Sequence, residues 1–404
     1  MNESESRRRG KHAGLRHPKW SVSLPNRIIA LDLARLLAIV GMMAQHLLYG
    51  QPPGVVEVVT TGFPSTLFAV LGGISTVVST RKYRDAGRPR AAMFSVVARG
   101  ATVAVLGVLL IAAPRFVIVV LLYYGIALMI TALFLRARSS IVVSSAVVLA
   151  LGVPQLSAWV AHSDQTAGPV VGIGSYIFLI GPYPVATWVT YMLIGVLVGR
   201  TLTAKTRPQG ARILTLVGAV MFFAGIVADE LSRPAVIASL RASGMSRSSA
   251  ELTASSARTG SPIDSGWIAV LNGVPHSGTT ADVLKTAGAA LIVIAVMLFL
   301  TLRFTTTTPA FLRPLVAAGA APLTIYTLHV LVTTIASIVS GDKFLSDPAW
   351  WELGPYALGL HIAGALAVGI VLLAWRRKGP LETLVSKVAN AGARLAEGRV
   401  ARRT

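Results

Sequence analysis

Runs of about twenty apolar residues recur along the chain, separated by short segments rich in Arg, Lys, Gly and Pro. At about 1.5 Å per residue such a run spans the roughly 30 Å hydrocarbon core of a bilayer, so each reads as a membrane-crossing helix. The pattern predicts ten spans, at about 28–48, 62–80, 91–113, 116–135, 141–162, 184–200, 211–229, 282–303, 314–338 and 355–375. The expected fold is therefore all-α, a polytopic membrane helix bundle, and the even number of spans places both termini on one side. Residues 27–384 form the transmembrane domain, between a basic, disordered tail at 1–26 and a second basic tail at 385–404. Residues 230–281, rich in Ser, Arg, Gly and Pro, have no clear helical period and read as a long outward loop, locally ordered near Trp267 to Thr280.

Charge gives the orientation. Most of the 37 Lys and Arg fall in the two tails and in the loops at 81–90, 136–140, 200–212 and 303–313, so the positive-inside rule makes both tails cytoplasmic and the protein a multi-pass component of the cell membrane. The same distribution accounts for the net charge of +21 as attraction to anionic membrane lipid, without nucleic acid as a partner. The first apolar run is too long for a signal-peptide core and contains Asp32 and Arg35, so it reads as a retained span. Cysteine is absent, which excludes disulfides, thiolate nucleophiles and zinc–thiolate sites. No metal is expected.

Ionisable residues inside apolar runs carry the chemistry, because each costs roughly 2.5 to 3.5 kcal/mol in hydrocarbon and so faces protein, water or ligand. Asp32 and Arg35, three residues apart, are neighbours on the first span. His46, eleven residues beyond Arg35, returns to within about 20° of the same azimuth, about 16 Å further along. One stripe thus carries an ion pair near the cytoplasmic surface and an imidazole near the outer one. Arg99, about two turns into the third span, needs an anionic partner, either Asp32 or a ligand phosphate. With Arg81, Lys82, Arg84, Arg88 and Arg90 it outlines an anion funnel at the cytoplasmic mouth, although loop cations commonly serve topology and lipid contact alone.

At the outer end the candidates are histidines. His329 and His361 lie in the outer halves of the ninth and tenth spans, and His276 lies in the outward loop. A lone membrane histidine often only bonds a neighbouring helix, a reading that suits His361 beside Gly359 and Gly364, while His276 can be a solvated loop residue. His329 is expected to approach His46. With no Walker loop, dinucleotide fingerprint or HExxH motif in the chain, histidine is the plausible general base, His46 first, with His329 and His276 behind it.

The stretch RIIALDLARLLAIVGMMAQH at 27–46 resembles the opening of membrane acyltransferases, both the type-3 acyltransferases of bacterial surface glycans and the heparan-alpha-glucosaminide N-acetyltransferase group. LLYYGIAL at 121–128, YPVATWVTYMLIGVLVGR at 183–200, PLTIYTLHVL at 322–331 and RRKGPLETL at 376–384 resemble bacterial members of the second branch. The resemblance implies transfer of an acyl group, usually acetyl, from cytoplasmic acyl-CoA to a hydroxyl or amine of an extracytoplasmic glycan or glycolipid. It implies that Asp32 and Arg35 match the family's cytosolic-end motif residues and that His46 is catalytic; the distribution of charge in turn suits coenzyme A phosphates at Arg99 and the basic loop with Arg81 and Arg84. In the glucosaminide N-acetyltransferase itself a different polar residue matches His46, so that assignment follows the type-3 branch. Two other readings use the same residues: a transporter or flippase for a lipid-linked or anionic solute, with the buried charges as a gating pair or proton relay, and a non-catalytic partner in envelope biosynthesis. The oligomeric state is open, a homodimer being compatible with the sequence.

Overall fold

The structure is a computed structural model that describes residues 28–48, 61–113, 116–163, 169–304 and 308–401. The N-terminal tail, expected to be disordered, lies outside the described residues. The helices in chain order are α1 (Ile29–Leu47), α2 (Phe63–Asp85), α3 (Pro89–Ile111), α4 (Leu121–Thr131), α5 (Ser139–Ser163), α6 (Pro169–Ser175), α7 (Val185–Ala204) and α8 (Arg207–Ala242). They continue with α9 (Arg247–Ser255), α10 (Ile268–Leu271), α11 (Thr280–Thr301), α12 (Arg313–Gly319), α13 (Pro322–Ser340), α14 (Lys343–Ser346), α15 (Pro355–Ala374) and α16 (Pro380–Ala401). Among the described residues nine helical segments are long and apolar enough to cross a membrane, and the tenth predicted span is the shorter Leu121–Leu135, formed by α4 and a 3₁₀ turn. The protein is an all-α, multi-pass membrane bundle.

Backbones in this bundle approach closely where glycines face one another, the usual means of packing helices that gain nothing by hiding from lipid. Gly73 of α2 abuts Met192 and Gly195 of α7, so that a Cβ on either glycine would overlap the other helix's backbone. Gly100 and Gly125 bring α3 against α4, and Gly218 and Gly288 bring α8 against α11, in the same way. Helix α1 sits inside this frame, in contact with α2, α11, α12, α13 and α15.

Three segments depart from the predicted spans. The run at 314–338 is two helices, α12 and α13, broken at Ala320–Ala321, because Pro322 has no N–H to donate and biases the residue before it away from helical geometry. The predicted loop after 229 begins as helix: α8 runs through Pro234 to Ala242, and its 36 residues reach about 54 Å, well past the membrane core. That extension packs Val236 with Ala254 and Ile268, and at its base the Gly273 N–H donates to Asp229 at 2.8 Å, contacts that offset the cost of a proline inside the helix. The basic C-terminal tail is helix α16, whose buried Val385, Ala389, Ala393 and Ala396 form one stripe. It lies against α3, with Gly392 on Phe94 and Ala98, and is pinned by Lys82 and Tyr83 donating to Asn390 and by Arg88 pairing with Glu397 at 2.8 Å.

Replacing Gly73 with Val should lower the melting temperature of the purified protein by an amount corresponding to at least the 1 to 3 kcal/mol (roughly) of an overpacked core. Gly359→Ala, at a position with open space around it, should leave melting unchanged or slightly raised. Equal melting of the two variants would contradict the α2–α7 contact.

Candidate functional site

The first turn of α1 places Asp32 and Arg35 on one face. The Arg35 guanidinium donates to the Asp32 carboxylate at 2.6 Å and to the Ser75 hydroxyl of α2 at 2.9 Å. Asp32 is only 2% exposed, so its charge is held by these near neighbours instead of by solvent. Behind it the α12 backbone comes so close that Gly319 lies flush on the Asp32 carbonyl, where a side chain would not fit.

Around this pair opens a cavity of about 810 Å³, within the range of roughly 300 to 1,000 Å³ usual for ligand sites. Asp32, Arg35, Ser75, Arg99 and Tyr124 line it from the first four helices, Arg313, Arg376, Arg377, Lys378 and Glu382 from the later ones, and its apolar lining includes Phe68, Leu71, Val103 and Leu128. The lining is thus six cations to two carboxylates. Arg313 donates from Nε to the Thr308 carbonyl, and the Arg99 guanidinium has no hydrogen-bond or ion-pair partner among the described residues. A guanidinium embedded in a membrane helix and facing a cavity in this way is suited to an anionic ligand.

Glu382 of α16 also lines the cavity. Its carboxylate accepts from the Leu323 and Thr324 N–H groups at 2.7 and 3.0 Å and from the Thr324 hydroxyl at 2.5 Å. These N–H groups belong to the first turn of α13, which has no partner within its own helix, so an acid from α16 caps the broken helix.

The other end of α1 carries the imidazoles. His46 Nδ1 lies 3.0 Å from His329 Nε2, and His329 Nδ1 lies 2.9 Å from His361 Nδ1. The His46 and His329 rings are nearly parallel at 6°, whereas His361 meets His329 edge-on at 82°. Helices α1, α13 and α15 each supply one ring, and the Gly354 N–H donating to the Leu47 carbonyl at 2.6 Å ties the start of α15 to the end of α1. The rings bond to each other in sequence without pointing at one centre, and among the described residues no group of three His, Asp or Glu is arranged to hold a metal.

Residues 27–227 match the family described as heparan-alpha-glucosaminide N-acetyltransferase, catalytic. The chain belongs to this family. No curated protein matches it. Membership in the N-acetyltransferase family implies an acetyltransferase-type membrane enzyme, and the matched segment supplies Asp32, Arg35, Ser75, Arg99, Tyr124 and His46. Arg313, Arg376 to Lys378, Glu382, His329 and His361 come from beyond it.

Of the residues singled out in the sequence, Asp32, Arg35 and Arg99 share the cavity, and His46 and His329 touch. Arg81 and Arg84, expected around the donor phosphates, are not among the residues lining the cavity. The exposed Arg81 pairs with Asp85 at 3.2 Å, and Arg84 donates to the Val77 carbonyl of its own helix at 2.9 Å, so both serve the end of α2. His276 is also elsewhere, in a pocket of about 30 Å³ beside Tyr191 and Asp282. That volume holds a water or two and no sugar. Burial pushes the His276 imidazole below its usual pKa, so it is neutral at pH 7, and its carbonyl receives the Gly260 N–H in a loop contact. Sequence reasoning set aside His361 as a packing residue and did not connect Arg313 or Arg376 to Lys378 with the site. The signal for the latter was their basic run directly after an apolar span, which topology alone also explains.

Glu382→Ala should uncap α13 and destabilise the protein by roughly 1.5 to 3 kcal/mol, the range for hydrogen bonds to a charged group. Glu382→Gln, which keeps an acceptor oxygen, should recover part of it. A melting curve in detergent identical to wild type for Glu382→Ala would remove the capping role.

Proposed function

We propose that the protein transfers an acyl group, acetyl in the first instance, from cytoplasmic acyl-CoA to a hydroxyl or amine of an extracytoplasmic glycan or glycolipid. The observation that carries this reading is the basic cavity, with the Arg99 guanidinium facing it without an ion-pair partner among the described residues. Arg35, Arg99, Arg313 and the Arg376 to Lys378 run receive the phosphates of the coenzyme, and the apolar lining receives its pantetheine arm. The cavity end is cytoplasmic on this reading, in keeping with the basic loops around it, and the membrane is the cell membrane.

His46 stands about 16 Å further along α1 from Arg35, a distance comparable with a pantetheine arm on the order of 15 to 20 Å. It acts as general base toward the acceptor, a role that contributes typically about 10² to 10⁴-fold to the rate. The acceptor amine or hydroxyl attacks the thioester carbonyl as His46 removes its proton, and the thiol leaves toward the cavity. The broken helix α12–α13 would equally suit a transporter or flippase, in which half-helix ends meet a solute in mid-membrane. Acyl transfer by purified protein separates the two.

Arg99→Gln should abolish stabilisation by acetyl-CoA in a thermal-shift titration. Wild type should gain about 2.7 kcal/mol at a hundredfold excess over Kd, while Arg81→Ala, outside the cavity, should match wild type. An undiminished shift in Arg99→Gln would place the donor elsewhere. His46→Ala should eliminate transfer yet keep the acetyl-CoA shift, and His46→Gln should not restore it, because an amide does not take up the proton. Transfer at the native rate by His46→Ala would remove it as the base.

A further inference from the structure

His329 is only 3% exposed and both of its ring nitrogens are occupied, Nε2 by His46 and Nδ1 by His361. Neither nitrogen is left for a substrate, which excludes His329 as the group that touches the acceptor. A neutral imidazole has one donor and one acceptor nitrogen, so the three-ring chain has two self-consistent arrangements. In the first, His46 and His329 carry their protons on Nδ1 and His361 on Nε2, leaving His46 Nε2 as a free base. In the second, every proton sits on the opposite nitrogen and His46 Nε2–H is an acid. One proton passing along the chain converts the first into the second.

We infer that His46, His329 and His361 form a proton relay that switches His46 between base and acid during acyl transfer, with His361 as its outer terminus. The inference rests on the acyltransfer reading for its role in the reaction, and on the ring geometry alone for the existence of the relay. As the acceptor oxygen or nitrogen bonds to the acyl carbon, its proton goes to His46 Nε2. His46 passes its Nδ1 proton to His329 Nε2, His329 passes its own Nδ1 proton to His361 Nδ1, and His361 releases its Nε2 proton to water. The C–S bond breaks with its electron pair remaining on sulfur. The reverse passage then brings a proton in through His361 and delivers it from His46 Nε2 to the thiolate, which restores the first arrangement and leaves no net charge behind. His361 and His329 are relay and positioning residues, and His46 alone meets the reactants.

The decisive variant is His361→Asn, because an asparagine oxygen can hold the hydrogen bond from His329 Nδ1 but cannot pass a proton on. With acetyl-CoA as donor, an aryl β-glucosaminide as acceptor probe and thiol release as readout, His361→Asn should lose at least tenfold in kcat with little change in KM. Added imidazoles should restore turnover to His361→Ala in an order set by their basicity. Wild-type turnover in His361→Asn, or rescue indifferent to basicity, would overturn the relay. A second measurement does not depend on the acceptor. In ¹⁵N-histidine-labelled protein the His46 ring signals should be averaged between donor and acceptor nitrogens, and His361→Asn should fix them in one arrangement. His46 signals unchanged by that substitution would equally overturn the relay. If they change while wild type releases no thiol with the probe, the acyltransfer reading fails and the relay stands.

Discussion

A carboxylate buried inside a membrane-crossing helix is the constraint around which the rest of the structure is arranged. Asp32 is 2% exposed, and an ion removed from water costs several kcal/mol unless it is paired and hydrogen-bonded. Arg35 answers it from the next turn at 2.6 Å, and Ser75 of α2 holds the other arm of the guanidinium. The pair in turn requires that no lipid reach this face. Helix α12 provides the cover by lying directly on the Asp32 backbone at Gly319. The break before Pro322 exposes the first N–H groups of α13, and Glu382 of α16 satisfies them. Charge burial, close approach, helix break and cap are linked steps, and irregular backbone at membrane depth is tolerated here because it lines a cavity within protein.

The two ends of α1 differ in the chemistry they support. The Asp32 end gathers six cations against two carboxylates, a field that concentrates and holds an anion. The His46 end contains three imidazoles whose hydrogen bonds in the chain run to one another. A base oriented by a carboxylate is biased toward one tautomer, as in a catalytic triad. A base oriented by a second imidazole has two arrangements of similar kind, and the choice between them follows the position of one proton. On the proposed relay, this is a reason for using three histidines where one would suffice as a simple base.

The all-α membrane architecture was legible because apolar runs of membrane length leave few alternatives, and so was the α1 stripe, because a helix fixes the azimuth and separation of Arg35 and His46 from spacing alone. Residues whose placement depends on tertiary structure were harder to read. His361 has the same local sequence whether it packs against lipid-facing glycines or meets His329, and only the pairing of α13 with α15 decides. Arg376 to Lys378 resemble any basic end of a span until α16 folds back against α3 and turns that run toward the cavity. Arg81 and Arg84 have the opposite history. They look like part of an anion funnel, yet one is spent on Asp85 and the other on a carbonyl of its own helix. Pro322 was visible inside an apolar run and is the local signal that a single span there would break.

The family match ends at residue 227, whereas the site does not. Of the residues lining the cavity, Arg35, Arg99 and Tyr124 lie inside the matched segment, and Arg313, Arg376 to Lys378 and Glu382 lie in the later helices. The histidine chain divides the same way, with His46 inside the match and both of its successors beyond it. A buried His329 without His46 would leave a polar nitrogen unsatisfied. The later helices therefore complete both the cavity and the histidine chain, supplying Arg313, Arg376 to Lys378 and Glu382 to the first and His329 and His361 to the second.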